Sequence, residues 1–251
     1  MKTLAKLLMV AFGILAFAAG VRAQEIHIKA RFFEVPRATL ETLQKNFVVA
    51  NDGTERLTPE QMNSTLKNLR SNPDAKLLSG PEVTTSSGRQ TQMRATKIQT
   101  VLTNFTLQEN SGNSSVVPQS EKIECGSILD VIPAISSGGQ KIDLKTTASF
   151  VRFFGYADPS GSPSRFATNS AGEKVNLPII LPVLQVNRAS AQSTLSDGQT
   201  LVLFPKANVE QDQRLARHIA QAEKKSGGKF FVVMITPTIV DTAGNPIHSG
   251  N

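Results

Sequence analysis

The 251-residue sequence has no tryptophan, one tyrosine, one cysteine and three histidines. Each scarcity closes off a class of function. A single cysteine, Cys125, rules out an intramolecular disulfide. The low thiol content fits a bacterial exported protein better than a secreted eukaryotic domain, which normally staples itself. His27, His218 and His248 stand apart from one another and from any carboxylate pair at ligand spacing, so no metal and no cofactor is expected. Without tryptophan, and with Tyr156 alone, the basic residues have no interleaved aromatics on which bases could stack, so nucleic acid is not an expected partner.

Catalytic patterns are also missing. Cys125 lies between Glu124 and Gly126 in an expected strand with no base nearby, which reads as a buried small residue. Asp241-Thr242-Ala243-Gly244 imitates both an aspartic-protease loop and a GTPase element. The first needs a second carboxylate to share a proton. The second needs a phosphate loop, and Gly227-Gly228-Lys229-Phe230 has neither the upstream glycine spacing nor the hydroxyl that holds magnesium. The stretch is read as a turn after a strand. No Gly-x-Ser-x-Gly elbow occurs, so the sequence points away from an enzyme and indicates no small-molecule substrate. Asn-x-Ser/Thr triplets at Asn63, Asn104 and Asn113 are read as chance.

The N-terminus supplies the first positive signal. Lys2 and Lys6 precede an apolar run from Leu7 to Ala19, and Val21-Arg22-Ala23 is a small-x-small cleavage site before polar Gln24-Glu25. Residues 1–23 are therefore expected to be a signal peptide, with an uncleaved anchor as the alternative. No cysteine follows the run, which argues against a lipid anchor. Cleavage would remove Lys2, Lys6 and Arg22 and no acid, lowering the formal charge from +7 to about +4, with the basic residues scattered over solvated faces. The remaining residues suffice for one large domain, taken as 24–243 with a short tail at 244–251.

Apolar residues alternate in IHIKARFFEV, placing Ile26, Ile28, Ala30 and Phe32 on one face of a strand that Pro36 ends. A short helix with Leu40, Leu43 and Phe47 in line is expected next. A second is marked by Thr58 as N-cap, Pro59 in the first turn and Gln61 closing a capping box, with Met62, Leu66 and Leu69 as its buried stripe. Beyond Lys76 the pattern is mostly strand. Short pieces at Leu77-Leu78 and Val83–Thr85 are separated by Gly80-Pro81, and Ser86-Ser87-Gly88 turns into a strand over Gln90–Leu102. Polar Gln108–Pro118 is expected as loop. Strands Lys122–Ile135 and Lys141–Phe154 meet across Ser136-Ser137-Gly138-Gly139. After a second loop over Tyr156–Leu177, a strand runs over Ile179–Leu195, turns at Ser196-Asp197-Gly198 and returns as Gln199–Phe204. Gln211–Lys225 is an expected third helix, and KFFVVMITPTIV a final strand. Strands this long with Thr, Ser and Gln on one face suit either a barrel with a wetted wall or a sandwich with one wet face.

In order, IHIKARFFEV, the capped helix, LLSGPEVTTSSGRQTQM, GSILDVIPAISSGGQKIDLKTTASF, SDGQTLVLF and FFVVMITPTIV resemble the core domain of bacterial secretins, the multimeric outer-membrane channels of secretion and type IV pilus systems. The resemblance spans residues 26–243 and is carried at identifiable positions. Leu78, Pro81, Val83, Thr84 and Gly88 match its proline, valine-threonine and turn pattern, and Gly126, Leu129, Val131, Pro133 and Ile135 the strand into its central hairpin. Asp197, Gly198, Gln199 and Thr200 match the turn before the penultimate strand, and Ile235, Thr236, Pro237 and Val240 the terminal one.

The resemblance implies an α+β, β-rich fold, with long antiparallel strands and two or three short helices on one side. The strands would contribute to a multimeric β-barrel, with residues 98–124 and 146–190 as wall and gate hairpins. It further implies export to the outer membrane or periplasm of a Gram-negative-type bacterium. The expected partners are copies of the chain or other secretion-system proteins. The pattern departs from the family after the penultimate strand, where LVLFPKANVEQDQRLARHIAQAEKKSGGK stands in place of a Gly-Gly pair and a proline-rich lip. Repeated N-terminal periplasmic domains, a pilot-binding tail and aromatic girdles are also missing from the pattern. The missing lip and aromatic girdle favour an alternative, a soluble periplasmic binding module that keeps the fold without a pore.

Overall fold

The computed structural model describes residues 24–45, 47–49, 54–110, 113–157, 165–204, 206–207 and 229–248. The signal peptide expected over residues 1–23 and the third helix expected at Gln211–Lys225 lie outside the described residues.

Strand β1 (Glu25–Pro36) organises the first sheet. It pairs antiparallel over its whole length with the last strand, β14 (Lys229–Val240), from Glu25 opposite Val240 to Pro36 opposite Lys229. Helix α1 (Arg37–Gln44) follows, then the short β2 (Val48–Val49) and β3 (Glu55–Leu57). Helix α2 (Pro59–Ser71) begins as its sequence dictates. The Thr58 hydroxyl accepts the Gln61 N–H, the Gln61 side chain accepts the Thr58 N–H at 2.9 Å, and Pro59 occupies a position whose N–H has no helical partner.

Strands β4 (Lys76–Ser79) and β5 (Glu82–Ser86) both lie along the free side of β1. Gly80-Pro81 separates them, yet the ladder continues through the gap because the Ala30 N–H donates to the Pro81 carbonyl at 2.9 Å. With β12 (Thr200–Leu203), these strands form a base sheet in the order β2-β3-β12-β14-β1-β4, β5 being collinear with β4.

The second sheet holds the long strands β6 (Thr91–Asn110), β7 (Asn113–Ile135), β8 (Lys141–Ala157) and β11 (Leu181–Ser196). Its order is β13-β11-β8-β7-β6, where β13 (Lys206–Ala207) touches β11 only at Asn187 and Arg188. A separate hairpin joins β9 (Arg165–Thr168) to β10 (Lys174–Leu177).

The expected loop over Gln108–Pro118 is instead strand almost throughout, with Asn110 opposite Asn113. Its Ser, Asn and Gln side chains are exposed, so the cross-strand backbone ladder supplies the order without apolar burial. The expected loop over Tyr156–Leu177 likewise contains the β9–β10 hairpin.

The core has two layers. Ile26, Ile28, Ala30 and Phe32 of β1 face the roots of the long strands, where they pack with residues such as Leu129, Ile142 and Leu195. The opposite face of the base sheet, including Val35, Val232 and Met234, is covered by Leu43 of α1 and Met62 and Leu69 of α2. Glu55 points toward this second layer, since it pairs with Val202, and its Oε2 is buried without a hydrogen-bond partner. Burial raises its carboxyl above the usual range. A carboxylate with a raised folded-state pKa favours the fold at acid pH, and this contribution is lost as pH rises. Glu55→Gln is therefore expected to stabilise the protein at neutral pH. Denaturant titrations should show that advantage shrinking as the pH is lowered through the carboxylate range.

Candidate functional site at the crossovers between the sheets

Two of the turns that carry the chain between the sheets are each fastened to a strand of the sheet they join. The first, between β5 and β6, is Ser86-Ser87-Gly88-Arg89, closed by the Arg89 N–H donating to the Ser86 carbonyl at 3.2 Å. Gly88 takes a φ of +80°, a left-handed conformation that a side chain resists. Its N–H donates to the Pro133 carbonyl at 2.7 Å, and the Ile135 N–H donates to the Ser87 hydroxyl at 2.9 Å. The turn is thereby fixed to the end of β7.

The second crossover leads from β11 to β12 through Asp197-Gly198-Gln199. Gly198 donates to the Pro237 carbonyl at 3.1 Å, and Asp197 Oδ1 accepts the Ile239 N–H at 2.8 Å. Proline has no N–H to return to its neighbour, so the turn's donors and acceptors complete the edge of β14 there. Gln199 closes the turn through its side chain to the Ser196 N–H at 3.1 Å, and the Thr200 and Thr236 hydroxyls meet at 2.7 Å.

Asp197 has further partners that the sequence did not reveal. Its N–H donates to the Gln140 carbonyl, and its Oδ2 lies 3.0 Å from Nδ1 of His248, a residue that looks isolated in the sequence. The segment after β14 turns at Asp241, whose Oδ1 accepts the Ala243 and Asn245 N–H groups, and this return brings His248 to the crossover. Asp241-Thr242-Ala243-Gly244 is a turn.

The motif positions thus gather at two corners, Gly88 with Pro133 and Ile135, and Asp197 to Thr200 with Thr236 and Pro237. Leu129, Val131 and Ile235 are fully buried in the layer between the sheets, with Leu78 and Val83 against them. Val240 ends β14, and Thr84 on β5 meets His27 at 2.9 Å. Beside it, Glu82 is held below the usual carboxylate range chiefly by its hydrogen bond from Arg31, at 2.6 Å.

Gly126 stands elsewhere, at a fork in the wall. It is the last residue of β7, toward the Asn113 end, that still pairs with β8. From Cys125 back to Asn113, β7 pairs only with β6, and β8 beyond Val151 pairs only with β11. Gly126 has a φ of +134°, and a Cβ there would run into the Ala95 carbonyl oxygen and lie 2.9 Å from the Thr96 Cα.

A charge pair spans the two sheets at this fork. The inward stripe of β1 ends in buried Glu34, and the inward stripe of β8 ends in Arg152, which donates to Glu34 Oε1 at 2.7 Å. The guanidinium also lies 5.3–5.7 Å from the ring centroids of Phe150, Phe154 and Phe231, within cation–π range. Neither residue stood out in the sequence, because 118 positions separate them. Among the described residues no group of three His, Cys, Asp or Glu side chains is placed to hold a metal.

These features define a two-sheet protein whose long strands are secured to a compact base. The sequence matches the secretin family model, described as bacterial type II and III secretion system protein, over residues 68–204, more than half of the chain. The protein belongs to the secretin family. The matched span runs from the last part of α2 to the end of β12 and contains both crossovers.

No curated protein sequence matches the chain. Among solved structures it is similar to the type II secretin GspD of enteropathogenic Escherichia coli, at 13% identity and a TM-score of 0.39, covering 94% of this chain and 75% of that one. Aeromonas hydrophila ExeD gives 12% identity and a TM-score of 0.37, with 96% of this chain and 53% of that one covered. The type IV competence pilus secretin PilQ of V. cholerae gives 11% and 0.33, with 94% and 65% covered. The chain thus spans about half the length of ExeD.

Two sets of substitutions probe this geometry. Gly88→Ala meets nothing within 4 Å and is expected to cost about 1–2 kcal/mol, the strain of a left-handed backbone alone. Gly126→Ala adds a backbone clash and should cost about 3 kcal/mol or more. Thermal unfolding of both variants checks that order. Arg152→Met, which leaves the buried Glu34 carboxylate with Lys229 at 3.8 Å but without its short hydrogen bond, should lower stability by about 2 kcal/mol, and Glu34→Leu combined with it should recover most of the loss.

Proposed function

We propose that this protein is a structural component of the bacterial cell envelope, exported by its N-terminal segment, that works in protein secretion or pilus assembly by oligomerising into a ring or channel. The observation that carries this reading is the pair of edges on the wall sheet that among the described residues stay unpaired, along β6 and along β11 apart from Asn187 and Arg188, where β13 touches it. Its long strands run β11-β8-β7-β6, and each is antiparallel to the next. Four such strands leave the two edge strands, β6 and β11, antiparallel to each other. Joining β6 of one copy to β11 of the next therefore continues the same pattern, and the same contact repeats from copy to copy. A head-to-tail contact of this kind closes into a ring when its rotation permits, which satisfies every edge.

The outward face at the root of the wall suits a water-filled interior. Asp143 accepts from Ser136 and Thr194, Thr147 meets Ser190, and Gln92 donates to Asp130. At roughly 3.3 Å per residue, strands of 16 to 23 residues reach about 50 to 75 Å, ample for a tall wall. The role is mechanical and non-enzymatic, in the outer membrane or periplasm, with copies of the chain or other secretion-system proteins as partners. The motif residues at the two crossovers act as register pins.

The alternative of a soluble periplasmic module that keeps the fold without a pore is favoured by two sequence features, the charged stretch after Leu203 in place of a proline-rich lip, and the absence of tryptophan with a single tyrosine for an aromatic girdle. Purification from the envelope in mild detergent, with light scattering and negative-stain imaging, separates the two readings. A ring that withstands SDS is the expected result, and a monomer at every concentration tested would leave only the soluble module.

A further inference from the structure

Where the wall forks, the structure leaves a cleft of about 510 Å³ between β4, the β6–β7 arm and β8. That volume is within the range of sites that enclose a ligand. Three features of its lining point the same way. Phe150, Val151, Arg152 and Phe153 are four consecutive residues of β8, and Cys125, Gly126 and Ser127 are consecutive in β7. Successive side chains in a strand alternate between faces, so a consecutive run presents the strand's edge. Beyond Val151 that edge of β8 has no strand paired to it among the described residues.

The charges are also one-sided. Lys76, Lys97 and Arg152 line the cleft, and no carboxylate does. Lys76 stands opposite Glu34 in the β1–β4 ladder, and Lys229 Nζ lies 3.8 Å from Glu34 Oε2, so Arg152, Lys76 and Lys229 gather around a single buried acid. The side chains of Lys76 and Lys97 make no hydrogen bond or ion pair with any described residue. Finally, Phe150 and Phe153 give the cleft an apolar wall beside its cations.

We infer that this cleft docks an extended, acidic polypeptide segment, which pairs its backbone with the free edge of β8 and sets its carboxylates against Lys76, Lys97 and Arg152. Strand addition supplies main-chain hydrogen bonds, and alternate side chains provide the selectivity. An apolar side chain between two acids fits the spacing, since the acids face Lys76, Lys97 and Arg152 on one side of the strand while the apolar residue faces Phe153 on the other. The incoming carboxylate competes with Glu34 for Arg152, so occupancy would loosen the contact that holds β8 to the base sheet. The inference needs a single copy of the chain and does not depend on ring closure.

Fluorescence anisotropy with the purified full-length chain and a fluorescein-labelled peptide, Thr-Glu-Val-Glu-Thr-Glu-Val, tests the site. Controls are the same peptide with every Glu replaced by Gln, and a heptamer of Glu alone. Saturable binding of the first peptide is expected, at least tenfold tighter than either control. The double variant Lys76→Gln and Lys97→Glu should lose at least tenfold in affinity, and because both lysine side chains are exposed and no new carboxylate is set opposite Glu34, its unfolding midpoint should stay near that of the parent. Three results would overturn the inference. They are an absence of binding at millimolar peptide, equal affinity for the Gln peptide or the Glu heptamer, and unchanged affinity in the double variant. If the double variant does not fold, Lys97→Gln alone carries the same readout.

Discussion

Ile26, Ile28, Ala30 and Phe32 alternate along β1 and press one face of the base sheet onto the roots of the wall strands. Everything else in the chain is arranged around that contact. Each buried aliphatic or aromatic side chain contributes about 1.5–3 kcal/mol, and all four of these are essentially inaccessible to water. The strand is held on one side by the twelve-residue β14 and on the other by β4 and β5, so it cannot slip by one residue without turning its whole stripe away from the wall. A fixed base is what allows strands of twenty residues to project beyond the core.

The crossovers translate that fixity into the wall. Where the chain passes between the sheets, a loose turn would let the register of β6 or β12 drift. Both turns are closed by glycines in left-handed conformations, and both are tied to a proline carbonyl on the facing strand, Pro133 for the first and Pro237 for the second. A proline carbonyl is a natural partner for such a turn. The residue cannot donate to a neighbouring strand, so its position marks where regular pairing ends and the turn's own groups take over. Asp197 adds a second tie through Ile239 and a third through His248, so the segment after β14 also bears on the crossover.

Features carried by local chemistry were legible in the sequence. The period-two stripe of β1, the capping box at Thr58 and the glycine turns each depend on residues close together in the chain, and the structure places each where its spacing says. The long β6–β7 hairpin was less legible. Its outer half is Ser, Asn, Gln and Thr, a composition shared with loops, and only pairing across the hairpin makes it strand. The fork at Gly126 was invisible for the same reason, since it is defined by which neighbour a strand loses. The Glu34–Arg152 pair needs two residues on different sheets to end their stripes at the same height, and no one-dimensional pattern holds that information. His248 belongs to this group also, because only the return of the chain at Asp241 brings it to Asp197.

Open edges in the wall impose a constraint of their own, because an unpaired strand invites any other strand to join it. The wall answers with polarity and irregularity. Arg94 and Lys97 are exposed along β6, a register shift falls between Leu102 and Asn104, and another between Val183 and Leu184 lies across from Gly155, which has a φ of +108°. Shifts of this kind bend and twist a strand locally and make a flat, indiscriminate partner unsuitable. They also divide each long strand into a root, which the base holds in register, and an outer part free to follow its own twist. The fork, where β7 parts from β8 and Arg152 reaches back to Glu34, lies on the root side of both shifts. One sheet can therefore be rigid below and divided above, because the apolar stripes of β1 and β8 stop at the same level and end in opposite charges.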